Sequence, residues 1–454
     1  MFARVGVLSL VLPFFLGKAV GQLGIQLDVT KEDSIKSAAK TLAEGIVSIY
    51  NAGLKTDQIP GLFPDPHYWW EAGSVFHGLI EYSYLTGDSR YDSLISEALQ
   101  HQTGDYDAFM PPNQTKTLGN EDQSTWGLAA MTAAEVGLPN PPKDLQWLDL
   151  AVNVWNIQAL RYDDQEKNGT CGGGLKWQIF TFNAGYTYKD TASNGNFFLL
   201  SARLAKFTGN TTYSQYADKV FKWSRAVRLV DEDYHVFSGT DDKSNCTSVN
   251  RIRFTNTHGT YTEAAALMFN LTGAQIWREA VSGFVKVASV FQDSASEPII
   301  VESACEANGK CSVDMRSYKG IFARTFARAA LAAPFAADII RKILSTSATA
   351  AVSGCTTGNA NGTECTFSWV NTTDDQDTGL GEVFNALEVV QVLLYPSAKG
   401  FKTTNSTAGG NATQSGGASR SSGASAPQNT GAAGTIAASV TVVLAVAFAT
   451  LLSM

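Results

Sequence analysis

Histidine and charge are both scarce in this 454-residue chain. It has five histidines, and only 17% of its residues are charged. The histidines are scattered and no Cys-x-x-Cys occurs, so neither a metal centre nor a cofactor is expected. Basic residues number 34 against 42 acidic ones, the net charge is −8, and no basic run exists. The electrostatic footprint of a nucleic-acid binder is therefore missing. Strands do not alternate with helices, which argues against a doubly wound parallel sheet. Apolar residues, in contrast, make up 44% of the chain, enough for a proper core and too many for general disorder.

The two ends read as addresses. Residues 1–21 carry Arg4, an apolar run and small residues at Ala19 and Gly21, the layout of a secretory signal peptide. Near the far end, small residues surround Gly423, and an apolar tail from Ile436 to Met454 follows a polar spacer. No basic residue comes after the tail. This is the layout of a GPI-anchor signal, with Gly423 as the attachment residue and residues 425–454 removed. The sequence thus predicts export, a membrane tie through the GPI lipid at the outer face of the plasma membrane, and a domain over 22–396. A Gly/Ser/Thr-rich stalk is expected over 397–424.

An exported chain with six cysteines is expected to form three disulfides. Cys305 with Cys311 and Cys355 with Cys365 would close short loops, which leaves Cys171 with Cys246. Six cysteines allow 15 pairings, so this set is a preference. Nine Asn-x-Ser/Thr sequons fit the same compartment: Asn113, Asn168, Asn210, Asn245, Asn270, Asn361, Asn371, Asn405 and Asn411.

Between the addresses the apolar spacing is helical. Twelve helices are predicted near 31–51, 68–86, 91–102, 122–136, 144–160, 193–208, 211–230, 259–271, 273–291, 317–331, 334–347 and 379–395. A short repeat supports the count. Thr-Gly follows an apolar residue at Leu85, Phe207 and Leu271, and an aromatic follows the glycine by four at Tyr91, Tyr213 and Trp277. Glycine ends helices because it adopts positive φ freely. Each copy thus reads as a helix–turn–helix hairpin, and six hairpins are the number that closes an all-α (α/α)6 barrel.

Three acidic pairs stand out. Glu121-Asp122 sits at the head of a predicted helix, followed by Trp126, and helix N-termini favour carboxylates. Capping requires one acid, not two. Two carboxyl groups flanking a glycosidic bond can hydrolyse it, with retention when they stand about 5–5.5 Å apart and inversion at about 6.5–9.5 Å. Adjacent residues on one turn suit the shorter spacing. Asp163-Asp164 reads as part of a solvated polar loop, and Asp374-Asp375 as a surface loop. Trp69-Trp70 and Trp177 offer flat apolar faces for sugar rings. The glycines at 172–174 permit close approach of a backbone to a ligand.

At these residues the chain resembles the fungal GPI-anchored members of glycoside hydrolase family 76, endo-α-1,6-mannanases of the cell wall. The matching stretches are Tyr68-Trp-Trp-Glu-Ala-Gly73, Gly119-Asn-Glu-Asp-Gln123 with Trp126-Gly-Leu, Cys171-Gly-Gly-Gly-Leu-Lys-Trp-Gln-Ile179 and Ser193-Asn-Gly-Asn-Phe-Phe198. Tyr318-Lys-Gly-Ile-Phe322 and Gly381-Glu-Val-Phe-Asn-Ala-Leu-Glu388 complete the set. The resemblance implies an (α/α)6 barrel and catalysis by an adjacent acid pair falling on Glu121 (nucleophile) and Asp122 (acid/base). The family has Asp where this chain has Glu121. Trp69, Trp70, Trp126, Trp177, Asn120 and Gln123 are the expected substrate-binding residues. The implied partners are α-1,6-mannose-containing glycans or GPI glycan cores, with wall glucan as acceptor in a transglycosylation. A second reading, prompted by Glu121, is a mannan-binding wall protein without turnover.

Overall fold

The computed structural model describes residues 23–54, 59–141, 145–294, 296–359, 362–372 and 378–404. The signal peptide, Gly423 and the anchor tail, Asp374-Asp375, and the sequons at Asn361, Asn405 and Asn411 lie outside these residues.

Twelve α-helices occur among the described residues: α1 (Glu32–Leu54), α2 (Trp69–Thr86), α3 (Asp92–His101), α4 (Asn120–Val136), α5 (Trp147–Asn168) and α6 (Thr191–Thr208). The rest are α7 (Thr211–Ala226), α8 (Thr255–Thr272), α9 (Gln275–Val287), α10 (Tyr318–Ala332), α11 (Ala337–Ser353) and α12 (Leu380–Gln391). Even- and odd-numbered helices differ in pattern. In α9 the buried residues are Trp277, Ala280, Val281, Phe284 and Val285, a single stripe with helical spacing. In α12 every residue is buried, and in α2 all of residues 71–82 are. A helix apolar all round must be enclosed. The even helices accordingly form an inner ring, in which α2, α4, α6, α8, α10 and α12 pack in succession and α12 returns to α2. The odd helices lie outside, α3 on α2, α5 on α4, α7 on α6, α9 on α8, α11 on α10, and α1 on α12. This is the expected (α/α)6 barrel.

The Thr-Gly signals mark turns from the inner to the outer layer. Gly87, Gly209 and Gly273 end α2, α6 and α8 in the left-handed conformation, with φ of 78°, 74° and 65°. Tyr213 and Trp277 then bury against the ring.

Three expectations need correction. Residues 163–168 are not a loop, because α5 continues to Asn168. Asp163 faces its neighbour helix, accepting from the Tyr216 hydroxyl at 2.8 Å, with the Lys219 ammonium 3.6 Å away. The molecule also holds two small three-stranded sheets: β1 (Leu23–Gly24), β5 (Cys355–Asn359) and β6 (Gly362–Cys365) in one, β2 (Tyr188–Asp190), β3 (Gly239–Asp241) and β4 (Val249–Asn250) in the other. Finally, packed chain continues into the segment read as stalk. Phe401 stacks on Tyr84 at 5.7 Å and under the Arg328 guanidinium at 4.3 Å, and the Lys402 N–H donates to the Glu135 carbonyl at 2.7 Å. This aromatic contact covers the C-terminal end of the inner ring.

Disulfides join Cys171–Cys246, Cys305–Cys311 and Cys355–Cys365. The sequon residues Asn113, Asn168, Asn210, Asn245, Asn270 and Asn371 are exposed.

Candidate active site

Because each hairpin brings the chain back, the inner helices begin at one end of the ring. Their first residues converge there, and their backbone N–H groups give that end a positive potential. The heads of α2 and α4, together with Trp177, Gln178, Asn183 and Asp314, line an open cleft of about 620 Å³. Beneath it a narrow space of about 50 Å³ descends the axis past Glu121, Thr125, Asn196, Thr257 and Arg324. That is room for a few water molecules.

Glu121 and Asp122 both line the cleft and have divided the work. Asp122 is the third residue of α4, and its Oδ2 accepts the Gly119 N–H at 2.7 Å, closing the helix start. Glu121 does no capping. Its Oε1 accepts the indole N–H of Trp177 at 2.8 Å. Trp177 arrives there because its strand-like segment pairs with the residues before α4. Asn120 N–H donates to the Trp177 carbonyl at 2.8 Å, and Ile179 N–H to the Leu118 carbonyl at 3.3 Å. Gly185, at φ 87°, lies against the face of the Trp177 ring, where a Cβ would collide with it.

The electrostatics of the pair are unusual. Burial, opposed by the Gly119 hydrogen bond and reinforced by the charges of Asp190 and Asp314, raises the Asp122 pKa to about 7. Burial, then Asp190 and Asp122, push Glu121 well above the ordinary glutamate range, against the Trp177 hydrogen bond. A carboxyl that holds its proton near neutrality, beside a second acid on one cleft, is the equipment of acid–base and nucleophilic chemistry at a glycosidic bond.

Other expected site residues are placed less uniformly. Trp70 and Trp177 line the cleft, and Trp70 packs against Tyr318 at 6.0 Å. Trp69 borders the cleft but is mostly buried, its N–H spent on Gln102 at 2.8 Å. Trp126 is fully buried between Trp69 and Phe109, at 5.3 and 5.6 Å, so it is core and presents no face to a sugar. Asn120 and Gln123 are buried too. Arg161 of α5 clamps both, donating to Asn120 Oδ1 and Gln123 Oε1 at 2.7 Å each, and this fixes the head of α4. Gly173 and Gly174 accommodate protein, Gly173 lying against Tyr162 and Gly174, at φ 81°, directly against the Trp223 ring, while Gly172 faces open space.

The residue that motif reading missed is Asp190, at the end of β2 and the head of α6. Its Oδ2 accepts the Ser193 N–H at 2.9 Å, while its Oδ1 is buried without a partner. Only the Asp-x-x-Ser capping pattern marked it in the sequence, and that pattern is common.

Residues 34–405 match the sequence profile described as glycosyl hydrolase family 76. The chain belongs to that family. It is 39% identical over 395 residues to the mannan endo-1,6-alpha-mannosidase DCW1 of Candida glabrata, covering 86% of each chain. Among solved family 76 structures, it is similar to Dfg5 from Chaetomium thermophilum in complex with glucosamine, with 38% identity, a TM-score of 0.77, and coverage of 83% of this chain and 94% of that one. The GH76A alpha-1,6-mannanase from Salegentibacter shares the fold at 20% identity, with a TM-score of 0.61 and coverage of 79% and 98%.

Proposed function

We propose that this family 76 protein is a retaining endo-α-1,6-mannosidase or transglycosylase acting on α-1,6-linked mannose. The observation that carries the reading is the adjacent pair Glu121 and Asp122 at the head of α4, both open to one cleft and differently bonded. Asp122, with a pKa of about 7, donates its proton to the departing glycosidic oxygen. Glu121 attacks the anomeric carbon and forms the glycosyl-enzyme. Asp122, now a carboxylate, takes a proton from the incoming hydroxyl, which displaces Glu121. Trp70 and Trp177 line the space that sugar rings would occupy. Relatives named as fungal mannan endo-1,6-alpha-mannosidases support the substrate class.

The finer biology follows from the same reading. The substrate is an α-1,6-mannose glycan or a GPI glycan core, and the acceptor is wall glucan. The product is a GPI protein joined to the wall. The enzyme works at the outer face of the plasma membrane and in the cell wall, held by a GPI lipid at Gly423. Release of the protein from membranes by phospholipase tests the anchor.

Product analysis of an α-1,6-mannan oligosaccharide, with and without a glucan acceptor, tests the activity. The expected first product keeps the α configuration, and a longer hybrid appears when the acceptor is present. A β product overturns retention. Binding without cleavage overturns the enzyme reading in favour of a mannan-binding wall protein.

A further inference from the structure

We propose that Asp190 is a positioning residue of this site, whose buried and unpartnered Oδ1 takes the Glu121 proton as the Glu121 carboxylate attacks. The inference rests on the reading of Glu121 as nucleophile. Capping accounts for only half of this side chain. The Ser193 N–H occupies Oδ2. Oδ1 is left buried, and the Asp190 carboxyl lies within hydrogen-bonding reach of Glu121 and of the Ser193 side chain. A buried acceptor without a donor is costly, and a proton between the two acids removes that cost.

The surroundings fix Asp190 firmly. The Asn194 side chain donates to its carbonyl at 2.8 Å and to the Leu175 carbonyl at 2.9 Å. Next to it, the buried Lys189 donates to the carbonyls of Thr170 and Gly173 at 2.9 and 2.5 Å. The Trp177 N–H holds the other side of Glu121 from the same loop system. The titratable groups that act on Asp190 or feel it are Glu121 and Asp122 of α4, Tyr261 of α8 and Tyr188 of its own strand. Burial raises the proton affinity of Asp190 as it does that of Glu121, and acids that interact this closely titrate as a pair.

The proton then has a route. It passes from Glu121 to Asp190 Oδ1. The freed carboxylate bonds to the anomeric carbon, the glycosidic C–O bond breaks, and the departing oxygen takes the proton of Asp122. In the second half, Asp122 removes a proton from water or a sugar hydroxyl. That oxygen displaces Glu121, which recovers its proton from Asp190.

A double-mutant cycle tests the pairing without requiring activity. Thermal melts are compared at pH 7.5 and pH 4 for wild type, Asp190→Asn, Glu121→Gln and the double variant. Asn caps a helix as well as Asp does, so a purely capping role predicts no change for Asp190→Asn. The expected result is a rise of about 2 °C for each single variant at pH 7.5, a double variant well short of the sum, and no difference at pH 4. Additive or absent shifts overturn the shared proton.

The catalytic half is read by kinetics. Asp190→Asn and Asp190→Ser both keep the cap but accept no proton. Each lowers kcat at least about tenfold at pH 6 with KM unchanged, and the deficit shrinks as pH rises and Glu121 ionises unaided. An unchanged kcat in Asp190→Asn overturns this role. A wild-type protein that cleaves no mannan defeats the functional reading instead, and the melting cycle still decides the pairing.

Discussion

In the lower half of the inner ring, Glu81, Glu135, Glu263 and Glu388 meet arginines. Arg203 donates to Glu135 at 3.0 and 2.7 Å, Arg324 to Glu388 at 2.5 Å, and Arg328 to Glu81 at 3.0 Å, to Glu263 at 2.9 Å and to Glu135. At the mouth of the same ring, Glu121, Asp122 and Asp190 accept from the N–H groups of Trp177, Gly119 and Ser193 and feel one another's charges. Both groups stand on the same ring of helices, so the enclosing fold alone does not decide what a carboxyl does. Burial would raise Glu81, yet the His77 hydrogen bond and the charges of Arg328 and Arg324 bring it down to about 2. Burial without a cation leaves Asp122 at about 7. The arginines form ionic struts but do not act alike on all four acids: Glu81 and Glu135 are lowered, whereas burial outweighs Arg324 at Glu388, which rises to about 8, and Arg328 at Glu263, which is raised as well. Acids paired with acids keep an exchangeable proton, and the reaction needs one.

The largest effect is expected from breaking the strut side. Arg328→Met takes from Glu263 its ion-pair partner in the core and leaves Glu81 with His77 and Glu135 with Arg203. Removing one partner of a buried ion pair costs about 3–5 kcal/mol, and total stability is of the order of 5–15 kcal/mol. The variant is expected to be unfolded or to melt far below wild type by circular dichroism. Arg328→Lys does not rescue it, because a single ammonium cannot span three carboxylates as the guanidinium fork does. A melting point near that of wild type would show that the ring closes without its ionic lattice.

Breaking the mouth should leave the fold intact and remove the chemistry. Asp122→Asn is expected to lower kcat by about 10²–10⁴-fold, the usual share of general acid catalysis. Wild-type turnover is expected to decline above pH of about 7, where Asp122 loses its proton. The stability consequences run in opposite directions at the two ends. The folded state binds the Asp122 proton more tightly than the unfolded chain does, so this group's contribution falls as pH rises from the ordinary aspartate value of 3.8 towards about 7. Glu81 is depressed, so its contribution is complete above 4.5 and is lost as pH falls towards about 2. Asp122→Asn should therefore stabilise the protein at pH 7 and leave the loss of stability at low pH unchanged. A variant with the wild-type melting profile over this whole range would mean that Asp122 is not a protonated acid in the folded enzyme.

Legibility in the sequence follows the same division. The ring could be read because its signals are local: helical spacing, and glycines at 87, 209 and 273 that end inner helices. The pair Glu121-Asp122 was visible because two acids at one helix head exceed what capping requires. The ionic lattice was not visible. Glu81, Glu263 and Arg328 are single charges in apolar helices, and only ring closure brings them together. Asp190 was hidden for the same reason, since it meets Glu121 through the convergence of α4 and α6. Trp126 misled in the other direction. An aromatic beside catalytic acids suggests a sugar platform, but its register on α4 points it between Trp69 and Phe109.

The smallest effect is expected at the third site where acids cluster, Asp163-Asp164 on α5, and it sharpens the comparison by adding acids that are neither struts nor catalysts. Asp164 is exposed and accepts from Asn168, one turn on, at 2.8 Å. Asp163 is partly exposed and joins the Tyr216 hydroxyl and Lys219 on the outer layer. Water reaches Asp164, and Tyr216 and Lys219 meet Asp163. Surface ion pairs contribute about 0–1 kcal/mol. Asp164→Asn is expected to change neither melting point nor kcat measurably. Asp163→Asn should cost about 1 kcal/mol or less through the Tyr216 hydrogen bond and leave kcat on α-1,6-mannan within about twofold. A fully folded Asp163→Asn or Asp164→Asn protein that lost turnover, beside an Asp122→Asn protein that kept it, would move the chemistry from the ring's mouth to its outer layer. The division of labour between the two ends would then fail with it.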